Sequence, residues 1–287
     1  MQYLVTGGAG FVGTNLIKKL LDEGHRVVSV DNYSTGLREN EQKGCQYFDI
    51  DICKVKDYPI DKPDVIFHLA ALPRIQPSFE YPLSTFDANV KGTINVLEWA
   101  RKKNCPVVYA GSSSNHGDKL SNPYTFSKWQ GEELCKLYNK IYHLPVSICR
   151  FYNVYGSYEL TEGDYCTLIG IFKNQYENKQ PLTITGDGEQ RRDFTHVEDI
   201  VCALIRCCNI NNQYRWPPSN EFNQFELGRG KNYSINEIAD AFGDYPREYI
   251  DERKGEMRDT LCTDTRARDL LSWKPEKNVL DYIKNII

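Results

Sequence analysis

The sequence has no CxxC pair, although it has ten cysteines, at 45, 53, 105, 135, 149, 166, 202, 207, 208 and 262. Structural zinc sites draw on thiolates at such spacing, so a metal centre has little support. Several of the cysteines stand in apolar runs, Cys149 in VSICR and Cys202 in IVCALI, where a small buried hydrophobe in a reducing compartment is the simplest role. Also missing is any uninterrupted apolar window of the about 18 residues that a membrane helix requires. The chain opens MQYLVTGG, straight into a strand pattern, with no basic n-region and no apolar h-region, so a cytoplasmic location is expected. There is no internal repeat and no low-complexity tail. Nor is there a basic excess: 35 Lys and Arg stand against 39 Asp and Glu, a net charge of -4, which argues against nucleic acid as the main partner.

What is present suits a soluble globular protein. Hydrophobic residues make up 40% of 287, enough for one large core or two small ones. Through the first 150 residues short apolar runs alternate with longer amphipathic stretches. Strands are expected at 2–5, 26–30, 64–69, 106–110 and 145–150, and helices at 11–23, about 82–103 and 124–142. That alternation predicts an α/β fold, a Rossmann-like doubly wound parallel sheet. After Gly156 the pattern weakens into polar and aromatic loops, GDGEQRRD at 186–193 and RWPPSN at 215–220, interrupted by one helix-like stretch at 197–208. The organisation expected is a dinucleotide-binding domain over 1–155 and a smaller, irregular α/β substrate-binding region over 156–287, with the chain returning to the first domain near 197–208.

Thr6 to Gly13 reads TGGAGFVG, with glycines at 7, 10 and 13 between a strand and a helix. Gly7 permits a tight turn, Gly10 lets backbone approach a pyrophosphate, and Gly13 allows close helix packing. The helix N-terminus would then face the phosphates. Asp31 closes the second strand, 18 residues after Gly13, and no arginine stands in DNYSTG. A carboxylate there accepts from ribose hydroxyls and repels a 2′-phosphate, so NAD is expected over NADP; a cap or turn residue is the plainer alternative. Asp51 and Ile52, after a short third strand, are placed to hold the adenine.

Tyr124 and Lys128 lie four apart in PYTFSK, on one helix face. An ammonium beside a phenol favours the phenolate, so the pair suits proton transfer at a sugar hydroxyl. Alone, YxxxK is common by chance. Ser112, Ser113 and Ser114 follow the strand at 106–110, where hydroxyls point into the ligand crevice of a parallel sheet; a polar turn would explain serines equally well.

Taken together, these residues resemble the extended short-chain dehydrogenase/reductases, within them the NAD-dependent sugar-nucleotide epimerases and dehydratases, and most closely the 4-epimerases of UDP-glucose or UDP-N-acetylglucosamine. TGGAGFVG, DNYSTG, HLAAL, ANVKGTINVLEWA, PYTFSK, RFYNVYG, GDGEQRRDFTHVED and RKGEMR all read as family motifs, so the resemblance spans the whole chain. It implies cofactor contacts at Gly7, Gly10, Phe11, Val12, Asp31, Asn32, Ser34, Asp51, Ile52, Leu69, Ala70, Ala71, Asn89, Tyr124 and Lys128. It makes Tyr124 the base, with Lys128 beside it, and Ser112 the residue that orients the sugar O4. On the substrate side it implies Ser113, Asn153, Arg192, Arg253 and Glu256, the arginines on the diphosphate, where a guanidinium forks onto phosphate oxygens.

The chain departs from the family in three places. SSSNHG replaces the usual SSxxVYG, so His116 stands where tyrosine is common. Only six residues, Asp118 to Pro123, separate Gly117 from Tyr124, where the family has a longer stretch that helps cover the sugar. Ser113 and Ser114 occupy the positions of a dehydratase's Asp-Glu pair, which disfavours 4,6-dehydration. The resemblance therefore implies NAD-dependent 4-epimerisation of a nucleotide-diphosphate sugar through a 4-keto intermediate. Thr260, near the position that limits the C2 substituent, extends this to N-acetyl sugars. Rivals on the same scaffold are a 4-reductase, a C3/C5 epimerase and a decarboxylase; from another class, an inactive NAD-binding relative. The resemblance also implies a homodimer through the helices near 82–103 and 124–142. No metal, membrane or nucleic-acid partner is expected.

Overall fold

The apolar runs read from the sequence become buried parallel strands. The computed structural model describes residues 1–55, 57–208 and 223–287. Its strands are β1 Gln2–Thr6, β2 Arg26–Asp31, β3 Gln46–Asp49, β4 Val65–His68, β5 Val107–Ser112, β6 Val146–Phe151, β7 Asn153–Tyr155, β8 Leu182–Thr185, β9 Arg191–His196, β10 Asn223–Leu227, β11 Asn232–Ser234 and β12 Arg247–Ile250. Its helices are α1 Phe11–Asp22, α2 Ile75–Glu80, α3 Pro82–Phe86, α4 Gly92–Lys103, α5 Pro123–Tyr142, α6 Leu168–Glu177, α7 Val197–Cys208, α8 Ile235–Asp240, α9 Arg266–Leu271 and α10 Val279–Ile286. The single amphipathic stretch expected at 82–103 is α3 and α4, joined by a π-helical turn at Asp87–Lys91.

Seven strands form one sheet in the order β10-β6-β5-β4-β1-β2-β3, each pair parallel. Parallel strands covered on both faces are apolar throughout, and β4 and β5 are buried along their whole length. Leu16 and Leu20 of α1, with Ile200 and Leu204 of α7, cover one face. Val96 and Trp99 of α4, with Cys135 and Tyr138 of α5, cover the other. This is the expected doubly wound, Rossmann-like α/β architecture. The chain order reverses between β1 and β4, which opens a crevice at the carboxyl ends of the strands. There Gly7, at φ +74, lies so close to the β4 loop that a Cβ would meet Ala70 N at 2.7 Å. A Cβ on Gly13 would stand 2.1 Å from Gly7 O, so only glycine lets α1 close on the loop before it.

The region after 156 is more regular than expected. β7, β9 and β11 form a three-stranded sheet, and β8 pairs with β12. With α6, α8 and α10 they enclose a second core of Ile169, Phe172, Ile184, Phe194, Ile238 and Ile283. These elements are short, three to six residues per strand and six to ten per helix. Over so few residues neither a period of 2 nor one of 3.6 repeats often enough to show in the sequence. α7 and β10 complete the large sheet: α7 packs on α1 and β10 pairs with β6, Phe225 opposite Cys149. The loop expected at 215–220 lies outside the described residues.

All ten cysteines are free thiols. Among the described residues no cluster of His, Cys, Asp and Glu could hold a metal ion, and no helix is long and apolar enough to cross a membrane.

Candidate active site

A cleft of about 740 Å³ runs along the carboxyl ends of β1, β2, β4 and β5 and on between the two cores. Of the residues expected to contact the cofactor, Gly7, Gly10, Phe11, Val12, Asp31, Asn32, Ser34, Asp51, Ile52, Leu69, Ala70, Ala71, Tyr124 and Lys128 all line it. So do Ser112, Ser113, Asn153, Arg192, Arg253 and Glu256 on the substrate side. Residues from both ends of the chain therefore converge on one continuous space.

Asn89 is the exception. It is buried behind the wall, where its side chain accepts from Leu72 N at 2.8 Å and donates to Leu72 O at 3.1 Å and Ser127 Oγ at 3.0 Å. Its place is to hold the loop after β4, and it does not itself line the cleft.

The residues fit a dinucleotide. No side chain caps α1, so the helix N-terminus is left to an anion in the glycine loop. Asp31 ends β2 with one oxygen accepting from Ala9 N at 2.9 Å and the other from Tyr33 N at 2.8 Å. These bonds fix the carboxylate, and each oxygen keeps a lone pair for a ribose hydroxyl. Burial raises the Asp31 pKa, and the two N–H bonds oppose the rise.

Ser112 is the last residue of β5, and the next four form a 3₁₀ turn. Its hydroxyl accepts from Ser114 N at 3.2 Å and from Tyr124 Oη at 3.3 Å. Tyr124 is in the first turn of α5, whose start is fixed by the Asn122 side chain accepting from Thr125 N at 2.7 Å. Lys128, one turn on, is buried; its ammonium donates to Ala110 O at 2.5 Å and lies 4.6 Å from the Tyr109 ring centre. Burial pushes its pKa down to about 8.

The electrostatics of Tyr124 add a further group to the site. Burial raises its pKa; the Ser112 hydrogen bond and the charge of Arg74 act against that rise. A cation that favours the phenolate is Arg74, before α2. Sequence reasoning missed Arg74 because it belongs to no catalytic motif and reaches Tyr124 only through the packing of α2 on α5; Tyr124 N donates to Ser78 Oγ of α2 at 3.1 Å. Arg74 is held by its Nε donating to Tyr165 O at 3.2 Å.

Arg192 and Arg253 come together around Glu256, at 3.3 and 3.9 Å. Arg192 is partly buried and Arg253 exposed. Two guanidiniums over one carboxylate leave one positive charge, which suits an incoming diphosphate. Asn153 lies alongside, donating to Asp193 O at 3.4 Å. The Thr260 hydroxyl accepts from Asp193 N at 3.3 Å.

Behind the catalytic face lies a buried ionic network. Glu132, two turns after Tyr124, accepts from Ser112 N at 3.3 Å. Arg150 of β6 forks onto Glu132 and reaches Glu226 of β10 at 3.0 Å. His116 pairs with Glu226 at 2.9 Å and stacks on Tyr152. The histidine that replaces the family's tyrosine thus ties the serine turn to β10.

Glu159 is a further buried carboxyl, accepting from Thr167 Oγ1. Burial pushes its pKa up to about 7. A raised carboxyl pKa means stability that is full below the unfolded value and is lost as pH rises through the folded one. Glu159→Gln should therefore lose less stability than the wild type between pH 5 and 8; melting curves with the same pH dependence for both proteins would refute this.

The fold is a Rossmann-like scaffold whose cleft brings the glycine loop, Ser112, Tyr124, Lys128 and two arginines together. The family whose sequence model matches, over residues 3–215, is the NAD dependent epimerase/dehydratase family. The UDP-glucose 4-epimerase of Mycolicibacterium smegmatis is 32% identical, over 100% of this chain and 97% of that protein. The UDP-glucuronate 4-epimerase of Thermodesulfobacterium geofontis is 31% identical, over 99% and 94%. The Thermotoga maritima UDP-glucose 4-epimerase, solved with UDP-glucose, superposes with a TM-score of 0.89 at 25% identity, covering 99% of this chain and 96% of that one. The protein belongs to the NAD dependent epimerase/dehydratase family of enzymes, and NAD is its cofactor.

Proposed function

We propose that the enzyme interconverts the C4 epimers of a nucleotide-diphosphate hexose, UDP-glucose and UDP-galactose or their N-acetyl forms, through a transient 4-keto sugar. The observation that carries this reading is the Tyr124–Ser112 contact of 3.3 Å, in the cleft that also holds the glycine loop and Arg192. Bound NAD supplies the acceptor and donor for the C4 hydride. Tyr124 takes the proton of the 4-hydroxyl and returns it, and Ser112 steadies O4. Lys128 would hold the nicotinamide ribose. Arg192 and Arg253 hold the diphosphate and leave the sugar free to turn, so binding energy fixes the reactant without choosing a face. Ser113 and Ser114 offer no carboxylate for expelling water, which is why dehydration is set aside.

The test is incubation with UDP-glucose and UDP-N-acetylglucosamine, without added reductant, and resolution of the products. A 4-epimer in equilibrium with its substrate is expected; a 4-keto-6-deoxy sugar, or no product from any nucleotide sugar, would overturn the reading. Arg74 favours a second substrate in the panel. C6 is the exocyclic carbon on C5, the ring neighbour of C4, so a cation whose charge reaches Tyr124 is within range of a C6 carboxylate, and UDP-glucuronate belongs with the others.

The same reading divides the chain into a cofactor half over 1–155 and a nucleotide-sugar half over 156–287, and places the enzyme in the cytoplasm, whose reducing conditions its ten free thiols suit. It includes a homodimer through α3, α4 and α5, which expose Leu83, Ile94, Leu137, Ile141 and Tyr142. Sedimentation as a monomer at micromolar concentration would exclude the dimer.

A further inference from the structure

The segment from Asp118 to Pro123 is only six residues long, and a second stretch of chain crosses above it. The stretch Arg253–Met257 leaves β12 and runs over the cleft to the opposite wall. Gln76 of α2 donates its side-chain amide to Lys254 O at 3.0 Å, and Asn122 donates to Gly255 O at 3.1 Å. Gly255 has φ +75, and a Cβ there would meet Phe79 at 3.1 Å and Ser121 O at 3.2 Å. Met257 lies against Gly117, whose Cβ, if it had one, would stand 3.0 Å from the sulfur. At its far end the stretch is anchored to the substrate half, Arg191 N donating to Arg258 O at 2.9 Å and Arg258 pairing with Asp187 at 2.7 Å.

The middle of this strap carries Arg253 and Glu256. Its hold on the cofactor half rests on two hydrogen bonds and the contacts of Gly255 and Met257. A longer segment before Tyr124 would occupy the surface on which Gly255 and Met257 sit. The shortening and the strap are therefore complementary: one makes the seat the other fills.

We propose that the strap 253–257, seated on the short 118–123 turn and fastened by Gln76, is the cover of the sugar pocket in this enzyme, with Gln76 a positioning residue that acts through Arg253 and Glu256. The proposal rests on the nucleotide-sugar reading. A fastened strap keeps the guanidinium over the diphosphate and retains the keto sugar between the two hydride transfers. An unfastened strap lets the keto sugar leave early. Each escape leaves the C4 hydride on the nicotinamide and the O4 proton on Tyr124, so the enzyme accumulates in its reduced, fluorescent form.

The test uses the holoenzyme and its Gln76→Ala and Met257→Ala variants. The Kd for UDP is measured by titration calorimetry and the reduced-nicotinamide fluorescence during turnover of UDP-glucose. Each variant is expected to weaken UDP binding and raise KM roughly three- to tenfold, the size of one lost hydrogen bond or apolar contact. The initial kcat should stay within about twofold, and the fluorescence should climb faster than in the wild type. Variants that bind UDP as the wild type does and show its fluorescence would overturn the strap; so would a fall in kcat at unchanged Kd. A wild type that binds no UDP would instead overturn the nucleotide-sugar reading, and the strap with it.

Discussion

Tyr124→Phe is expected to lower kcat for epimerisation by about 10²–10⁴-fold, the range that a positioned proton-transfer group supplies, while NAD stays bound. The substitution removes one oxygen and keeps the ring, so the packing of α5 on α2 survives. The lost atom is the one that meets Ser112 Oγ at 3.3 Å in the cleft. Binding of the dinucleotide draws on the glycine loop and Asp31, which the change does not touch. The measurement is the rate of product formation together with the cofactor content of the purified variant after denaturation. Turnover at the wild-type rate would remove Tyr124 from the chemistry. Loss of the cofactor along with activity would make it a cofactor-binding residue first. Arg74→Met should give a smaller loss in the same direction, because it takes away a charge that favours the phenolate and leaves the Ser112 hydrogen bond in place.

The second large effect concerns stability. Arg150→Met should destabilise the fold by about 3–5 kcal/mol, because it leaves a buried carboxylate without its partner. Glu132 is fully buried, and Arg150 meets it at 2.6 Å and Glu226 at 3.0 Å. Glu226 keeps His116 as a second partner at 2.9 Å; for Glu132 the remaining contact is the Ser112 N–H. At this chain length the melting temperature should fall by roughly 5–15 °C. Replacing Glu132 by Gln in the same protein should restore part of the loss, since the orphaned charge goes with it. A double variant no more stable than Arg150→Met would show that the arginine acts through packing. The site is expected to suffer too: Glu132 shares a face of α5 with Tyr124 and Lys128, and it holds the backbone of Ser112.

Asn89 and Arg74 mark where sequence reasoning stopped short, in opposite directions. Asn89 sits in a motif, ANVKGTINVLEWA, that implies a cofactor contact; its side chain bonds the loop after β4. Arg74 sits beside HLAAL with no pattern of its own, yet its charge acts on the tyrosine. A motif records that a residue type is needed at a position. It does not say whether the need is for a ligand contact or for holding the wall behind one. Lys128 shows the same limit: its spacing puts it one turn from Tyr124, and its ammonium donates to Ala110 O.

The sequence by itself determined the doubly wound sheet, because parallel strands buried on both faces leave long apolar runs and the helices between them repeat their period several times. It also determined the glycine loop, Asp31 at the end of β2 and the placing of Ser112, Tyr124 and Lys128, since each is a local demand on backbone or chemistry within a few residues. The tertiary structure decided the rest. The second core is built from elements too short to repeat a period. Arg74, Arg192, Arg253 and Glu256 lie far apart in the chain, and only folding brings their charges to one cleft. The strap over the short 118–123 turn joins residues more than 130 apart, a contact that no local pattern records.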